Sequence, residues 1–267
     1  MSRREQILAE MGLAPLWHLR GAEHAAEPEL VTPVADPRPA PPVPIAQAVS
    51  RVAQTVLEAV SAPAATPAPR DAAAKGSGLA HMGWEELDQA VKDCRACGLC
   101  KARKQTVFGV GDREADWLFV GEGPGAEEDE RGEPFVGQAG KLLDAMLGSI
   151  GLQRGQDVYI ANSVKCRPPG NRTPEAGEIA ACHPYLERQI ELIKPRLIVA
   201  LGRPAAQTLL NAEIKISSAR GRVFDRHGIP VVVTYHPAYL LRNLEDKHKA
   251  WEDLCFAVDQ MQALKKN

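Results

Sequence analysis

Three of the six cysteines in this chain lie close together. Cys94 and Cys97 form a C-x-x-C pair, Cys100 extends it by the same spacing, and Cys166 and Cys182 follow further along the chain. Four thiolates can hold either a structural zinc ion or an iron–sulfur cluster, and spacing alone does not decide between them. A chain of this size without a visible export signal is a poor disulfide scaffold, so the spacing indicates a metal centre.

A glycine-rich turn, GEGPGAEED (121–129), follows an apolar run of strand length. Its glycines let the backbone approach a ligand closely, and the amides around Gly123 could cradle a carbonyl. The spacing does not match the dinucleotide motif G-x-G-x-x-G, and Pro124 lacks an amide donor. Acidic residues, including Glu122 and Glu128, suit a neutral heterocycle and an oriented water better than a phosphate. A solvated acidic loop is the alternative.

Two polar residues follow other apolar runs in the same way. Asn162 comes after the run at 158–161, and its amide could read an imide edge that presents adjacent carbonyl and N–H groups. A turn cap is the structural alternative. His236 ends the run at 230–236 and precedes Pro237. An imidazole there can donate a hydrogen bond to developing negative charge, although a lone histidine is more often structural.

Apolar runs alternate with helix-period patterns from Trp84 onward. Four runs are typical of strands, and they lie at Trp117–Gly121, 158–161, 197–202 and 230–236. Continuous runs between amphipathic helices predict an α/β fold with a central, mainly parallel four-stranded sheet covered on both faces. Ligands bind beyond the carboxyl ends of such strands. The glycine turn, Asn162 and His236 should therefore converge on one site.

The composition changes sharply near residue 80. Residues 21–80 are rich in Ala and Pro and contain no aromatic residue, so they offer little apolar surface to offset the entropy of ordering. We expect a disordered linker there and a folded domain at 81–267. Residues 1–20 carry apolar side chains at helical spacing. They predict a helix packed on the domain or no ordered structure, or else a short docking motif for a replication or repair partner.

Overall composition limits the classes of function. The chain is 45% hydrophobic and 25% charged, which fits a globular protein. A net charge of −2 argues against binding nucleic acid by bulk electrostatics alone, but allows a local basic loop. The apolar runs are too short to span a bilayer, and no secretory signal is visible. We expect a cytoplasmic, monomeric protein.

Three long segments and the C-x-x-C pair together resemble the signature segments of the family 4 uracil-DNA glycosylases. These segments are CRAC (94–97), GEGPGAEEDERGEPFVGQAGKLL (121–143), NSVKCRPPGNRTP (162–174) and HPAYLLR (236–242). The resemblance covers roughly residues 84–265 and leaves the first 80 outside. It implies a three-layer α/β/α fold. It also implies an enzyme that flips uracil from single- or double-stranded DNA and hydrolyses the N-glycosidic bond, leaving an abasic site.

The resemblance also implies a [4Fe–4S] cluster. Its ligands fall on Cys94, Cys97, Cys166 and Cys182. Cys100 is a departure, because its position is not normally a ligand; a swap with Cys94 stays open.

In the pocket, the resemblance implies that Phe135 stacks on the extruded base, Asn162 reads its edge and His236 steadies the departing anion. Glu122 lies where other glycosylase families place the residue that handles water, and Glu128 is a second candidate.

For DNA contacts, the resemblance points to Arg167 and Arg172 in the loop beside the cluster. It further implies that Leu240 and Leu241 form a wedge that enters the gap left by the flipped nucleotide, with Arg242 near a phosphate. The alternative for the two leucines is the start of a packed helix.

Two other functions remain open at this point. One is a superfamily member that binds uracil-DNA, in some relatives covalently, and turns over poorly. Those relatives carry a GEQPG-type turn and a histidine-bearing insertion, both absent here. The other is a non-enzymatic, zinc-stapled interaction module. Nothing suggests a lysine Schiff-base lyase, although Lys165 lies near enough in sequence to check.

Overall fold

The computed structural model describes residues 78–266. The docking segment predicted at 1–20 and nearly all of the linker predicted at 21–80 lie outside the described residues. Within them, Leu79 is buried in a cluster with Leu87 and Val91. The packed domain therefore includes residues just before the predicted boundary at 81.

The sheet has six strands rather than the predicted four. In chain order they are β1 (Val110–Gly111), β2 (Trp117–Gly121), β3 (Val158–Asn162), β4 (Leu197–Leu201), β5 (Val223–Arg226) and β6 (Ile229–Thr234). Their spatial order is β1-β3-β2-β4-β6-β5. The four central strands are parallel, as predicted, and both edge strands pair antiparallel. The edges escaped prediction because β1 has two residues and β5 is charged and mostly exposed.

Eight helices cover the sheet and its ends in the described part of the chain. They are α1 (Trp84–Lys92), α2 (Ala126–Arg131), α3 (Gln138–Ser149), α4 (Ala176–Ile193), α5 (Arg203–Leu210), α6 (Ile216–Ala219), α7 (Pro237–Leu240) and α8 (Lys247–Lys266). Among these residues, no helix is long and apolar enough to cross a membrane.

Side chains of the central strands point alternately to the two faces of the sheet, as strand geometry requires. On one face Leu118 packs in a cluster with residues of α4 and α5. On the other face Phe119 packs in a cluster with residues of α3 and α8. Because both faces are covered, the strands are buried along their whole length, which explains their continuous apolar sequence. The predicted three-layer α/β/α arrangement is confirmed.

A third cluster lies beside the sheet and joins α1 to α4. It contains Leu99, Val164, Cys166, Cys182 and Tyr185. It links the cysteine-bearing segments to the loop that follows Asn162.

Candidate active site and cysteine cavity

A cleft opens at the carboxyl edge of the sheet, where the four parallel strands end. It is lined by residues from the turn after β2, the end of β3, the start of α5 and the segment after β6. The glycine turn, Asn162 and His236 thus meet in one place, as the strand pattern predicted. The cleft measures about 910 Å³. Ligand sites typically measure roughly 300–1,000 Å³, so it has room for a base and part of its backbone.

Gly121 ends β2 directly beside Asn162, its register partner at the end of β3. A Cβ atom at position 121 would lie 2.5 Å from Asn162 Oδ1 and 2.6 Å from Phe135 Cζ. At Gly123, a Cβ atom would lie 2.8 Å from Val164 Cγ2. The glycines of this turn therefore leave the space that the neighbouring side chains occupy.

Asn162 presents a buried acceptor at the edge of the cleft. The residue is 2% exposed, and its Oδ1 atom has no hydrogen-bond partner among the described residues. Leaving a buried acceptor unsatisfied costs about 1–3 kcal/mol. A ligand that donates a hydrogen bond to Oδ1 would remove that cost.

Lys165 hydrogen-bonds to the backbone of Asn162 and is not among the residues that line the cleft. Its side chain is buried, and Nζ donates to the Asn162 carbonyl oxygen at 3.0 Å and to Gln189 Oε1 at 2.5 Å. The amine is thus committed to internal hydrogen bonds, which gives no support to a Schiff-base role.

Phe135 is held in an uncommon backbone conformation beside the cleft. Its φ is 55°, a left-handed value that non-glycine residues rarely adopt. Its carbonyl oxygen accepts a hydrogen bond from Arg154 Nη2 at 2.8 Å and lies where a Cβ of Gly140 would be, at 1.8 Å. Strain of this kind persists only where the surroundings enforce it, and it clusters at functional sites.

Glu128 holds the same loop in place. Its Oε2 accepts from the Gly125 amide at 3.1 Å, and its Oε1 accepts from the Val136 and Gly137 amides at 3.0 and 3.1 Å. Both carboxylate oxygens therefore bind the backbone on either side of the cleft. Glu122 also lines the cleft, and its side chain makes no such backbone contacts in the described structure.

His236 lies at the start of α7, with its ring centroid 5.5 Å from that of Phe135. Its Nδ1 accepts a hydrogen bond from the Ala238 amide at 3.1 Å. Burial lowers the pKa of His236 to about 4, and the charge of Arg242 adds to the shift while Glu128 opposes it. At neutral pH the ring is therefore uncharged, with its proton on Nε2.

The predicted arginines differ in how free they are to meet DNA. Arg172 is bound to Glu178 by two hydrogen bonds of 2.7 and 2.8 Å, which fixes the loop more than it offers a charge. Arg167 donates to Asn171 Oδ1 at 2.7 Å. Arg242 is exposed and lines the cleft.

The two leucines of the predicted wedge have opposite environments. Leu240 is 1% exposed and packs in the core cluster that includes α3 and α8. Leu241 is 41% exposed. The burial of Leu240 contradicts a direct DNA contact by that residue, because α7 turns its side chain into the core. Only Leu241 stays available as a wedge.

Sequence reasoning missed several cleft residues, among them one cation and two aromatic side chains. Arg203 lines the cleft as the first residue of α5. Tyr235 and Tyr239 also line it, and their rings stack with centroids 5.2 Å apart. The signal for Arg203 and Tyr235 was their place just after the carboxyl end of a strand, the same rule that singled out Asn162, whereas Tyr239 lies within α7.

All five clustered cysteines line a second cavity, between α1 and α4. Cys94, Cys97, Cys100, Cys166 and Cys182 share it. Each is a free thiol in this structure.

The thiols around this cavity have the donor chemistry that a zinc ion or an iron–sulfur cluster requires. Within residues 78–266, no group of three or more His, Cys, Asp or Glu side chains is placed so that it could hold a metal ion. Zinc would draw four sulfurs to about 2.3 Å from one atom. An iron–sulfur cluster binds each thiolate at a different iron, so its ligands surround a wider cage.

A family model described as the uracil DNA glycosylase superfamily matches residues 108–255. That span contains the whole central sheet and every strand end that borders the cleft. The chain belongs to the uracil-DNA glycosylase superfamily.

Curated relatives narrow the assignment. The chain is 49% identical over 168 residues to a type-4 uracil-DNA glycosylase of Archaeoglobus fulgidus, covering 59% of this chain and 84% of that protein. It is 47% identical over 177 residues to the type-4 enzyme of Thermotoga maritima, covering 62% and 92%. A type-5 enzyme of Thermus thermophilus is 40% identical over 161 residues, covering 48% and 73%. Within the superfamily, the chain falls in the type-4 group.

Proposed function

We propose that this protein excises uracil from DNA by hydrolysing the N-glycosidic bond, which releases free uracil and leaves an abasic site. The observation that carries the proposal is the buried, unpartnered Oδ1 of Asn162 at the edge of a cleft that also contains Phe135 and an uncharged His236. Hydrolysis of the N-glycosidic bond of a base inside a duplex requires that the nucleotide first leave the base stack, at a cost of a few kcal/mol. Mispairs such as U·G lower that cost.

Asn162 distinguishes uracil by its hydrogen-bond pattern. The side-chain oxygen accepts from the uracil N3–H, and the amide group donates to the adjacent carbonyl. Cytosine presents an acceptor and an amine at these positions. The Asn162 oxygen would therefore face an acceptor, and its amide NH₂ group would face a donor. Phe135, fixed by its strained loop, stacks on the extruded base.

His236 stabilises the leaving group. Glycosidic cleavage passes through an oxocarbenium-like sugar and leaves negative charge on the uracil. Nε2–H donates to that charge, and the site needs no reorganisation because the ring is already held by the Ala238 amide. A donor of this kind contributes on the order of 10²–10³ in rate.

Glu122 is the carboxylate that we assign to the attacking water. It lines the cleft, whereas both oxygens of Glu128 are occupied by backbone amides. Glu128 is therefore a positioning residue that keeps the Phe135 loop closed against the glycine turn. The amides near Gly123 form the adjoining wall and remain our assignment for contact with a base carbonyl.

DNA is engaged around the mouth of the cleft. Leu241 enters the gap in the stack, and Arg242 contacts a nearby phosphate. Arg167 and Arg172 sit on the loop between β3 and α4, where the Glu178 contact keeps the loop rigid. Arg167 and Arg242 supply the local positive charge that a chain of net charge −2 needs for DNA, while Arg172 holds the loop in place.

A [4Fe–4S] cluster held by Cys94, Cys97, Cys166 and Cys182 is our assignment for the second cavity. The group would tie α1 to α4 and so fix the loop between β3 and α4. We assign it a structural role. Cys100 lines the cavity as an additional thiol. The cytoplasmic location, the monomeric state and a docking role for residues 1–20 stay predictions.

The test uses the purified full-length protein without added metal. It is incubated with single-stranded and U·G oligonucleotides, and abasic sites are then cleaved with alkali. Wild type is compared with Asn162→Ala and His236→Ala, and His81→Ala, on the exposed surface, is the control. We expect strand cleavage by wild type and the control, and a loss on the order of 10²-fold or more in the two cleft variants.

The opposite results are equally informative. Absence of cleavage by protein that carries its metal centre would overturn the enzyme assignment. A band shift that survives denaturation would then indicate covalent uracil binding instead. Equal activity of the cleft variants and the control would place the reaction elsewhere.

A further inference from the structure

Arg103 contacts one of the cysteines directly. Its Nη1 donates to Cys166 Sγ at 2.9 Å, and its Nη2 donates to the carbonyl oxygens of Lys92 and Cys94 at 2.8 and 3.0 Å. The side chain is half-buried and lines the cysteine cavity. Hydrogen bonds to two carbonyl oxygens thus hold the guanidinium against the sulfur atom of Cys166. Hydrogen bonds from a charged donor are roughly twice as strong as those between neutral groups.

A second arginine on the same segment makes the backbone contacts without the sulfur contact. Arg95 Nη1 donates to the same two carbonyls, of Lys92 and Cys94, at 3.3 and 2.9 Å. Arg95 is exposed and does not line the cavity. The chain therefore offers a comparison, since Arg95 shares the two backbone contacts of Arg103 and lacks its bond to sulfur and its partial burial.

The charges around the cavity explain why the hydrogen bond from Arg103 to Cys166 would matter to a bound cluster. The residues that line the cavity include two cationic side chains, Arg103 and Lys165, and no carboxylate. Four thiolates around an iron–sulfur core leave net negative charge, and burying such charge is costly unless it is paired. Hydrogen bonds to the sulfurs of such clusters are among the features that set their reduction potentials.

We propose that Arg103 stabilises the thiolate of Cys166 and thereby raises the one-electron reduction potential of the cluster and slows its loss. This inference rests on the proposed cofactor. A reduced cluster carries one more negative charge than an oxidised one. The Arg103 bond to sulfur therefore favours the reduced form, and its removal should lower the potential.

The test measures the midpoint potential of the purified holoprotein by voltammetry, in which the electrode supplies the electron. Iron and sulfide content are determined first. Arg103→Gln should shift the one-electron equilibrium toward the oxidised form by about tenfold, or about 59 mV. It should also lose its visible absorbance sooner under a chelator. Arg103→Lys keeps the positive charge but lacks the second donor nitrogen of the guanidinium, so we expect an intermediate potential. Arg95→Gln should match wild type.

Three results would contradict the inference. An Arg103→Gln protein with full cluster content and the wild-type potential would overturn it and leave the cofactor assignment standing. An equal shift in Arg95→Gln would show that the backbone contacts, rather than the sulfur contact, are responsible. Wild-type protein that contains zinc and no iron or sulfide would overturn the inference and the cofactor assignment together, while uracil excision could still be measured separately.

Discussion

The backbone amide of Ala238 donates a hydrogen bond to Nδ1 of His236, 3.1 Å away. That contact requires an unprotonated Nδ1, so the neutral ring carries its proton on Nε2. Burial enforces the same state, because it lowers the pKa of His236 to about 4. The ring is therefore neutral, and the Ala238 contact fixes its orientation, as the proposed role of a neutral donor requires. Protonation would place a hydrogen on Nδ1 opposite the Ala238 amide and break the contact.

His236 should make folding stability depend on pH. An unperturbed histidine has a pKa near 6.5, so between pH 6.5 and about 4 the unfolded chain binds a proton that the folded chain does not. The contribution to the free energy of unfolding is present above that window and is lost as the pH falls through it. Urea denaturation of wild type and His236→Asn between pH 4 and 7 should show a steeper loss for wild type. Equal slopes would contradict a buried neutral ring.

Gly121 should be essential for catalysis although it carries no reactive group. Alanine there would place a Cβ atom 2.5 Å from Asn162 Oδ1 and 2.6 Å from Phe135 Cζ, so both side chains must shift. Displacements near 1 Å can cost on the order of 10²-fold in rate, and we expect a loss of that size in kcat/KM. The measurement is uracil release from a single-stranded oligonucleotide.

Gly148→Ala is the matched control for that substitution. Gly148 lies in α3, is exposed, and a Cβ there would meet no atom within 4 Å. We expect wild-type activity and a gain of roughly 0.5–1 kcal/mol in the free energy of unfolding, since alanine is the better helix former. Wild-type activity of Gly121→Ala would refute the packing argument.

Alanine substitutions of Leu240 and Leu241 should have different effects, the first on stability and the second on activity toward duplex DNA. Leu240→Ala removes a buried side chain and should cost about 2–5 kcal/mol of stability. Leu241→Ala alters an exposed side chain and should change stability by less than about 0.5 kcal/mol. Its activity should fall on a U·A duplex far more than on single-stranded DNA, which has no stack to fill. An equal loss on both substrates would contradict the wedge role.

The leucine pair illustrates what the sequence could and could not provide. The family resemblance pointed to both residues as a wedge, but the direction of each side chain depends on a four-residue helix whose register only packing against α3 decides. The carboxyl-edge site, by contrast, was predictable, because continuous apolar runs imply parallel strands and parallel strands end at one edge.

Residues supported by tertiary contacts were the least predictable. Glu128 belongs to an acidic turn, and nothing in that run distinguishes the carboxylate that binds three backbone amides from its neighbours. The left-handed conformation of Phe135 likewise depends on Gly140 and Arg154, which are near in space but carry no local signal. The edge strand β5 was missed because an exposed, charged strand lacks an apolar pattern.

Arg203 should contribute to DNA binding through a phosphate. It begins α5 on the cleft wall, next to Gly202, where a Cβ atom would lie 2.9 Å from His236 Cβ. If the cleft takes the extruded nucleotide, a cation on its wall can reach a neighbouring phosphate. Arg203→Gln should weaken binding to all DNA sequences alike and reduce the slope of log K against log salt by about 1. Arg222→Gln is the control. Arg222 is exposed, lies directly before the edge strand β5 and stacks on the Phe224 ring. Fluorescence anisotropy across a salt series measures both variants, and a slope unchanged by Arg203→Gln would exclude the phosphate contact.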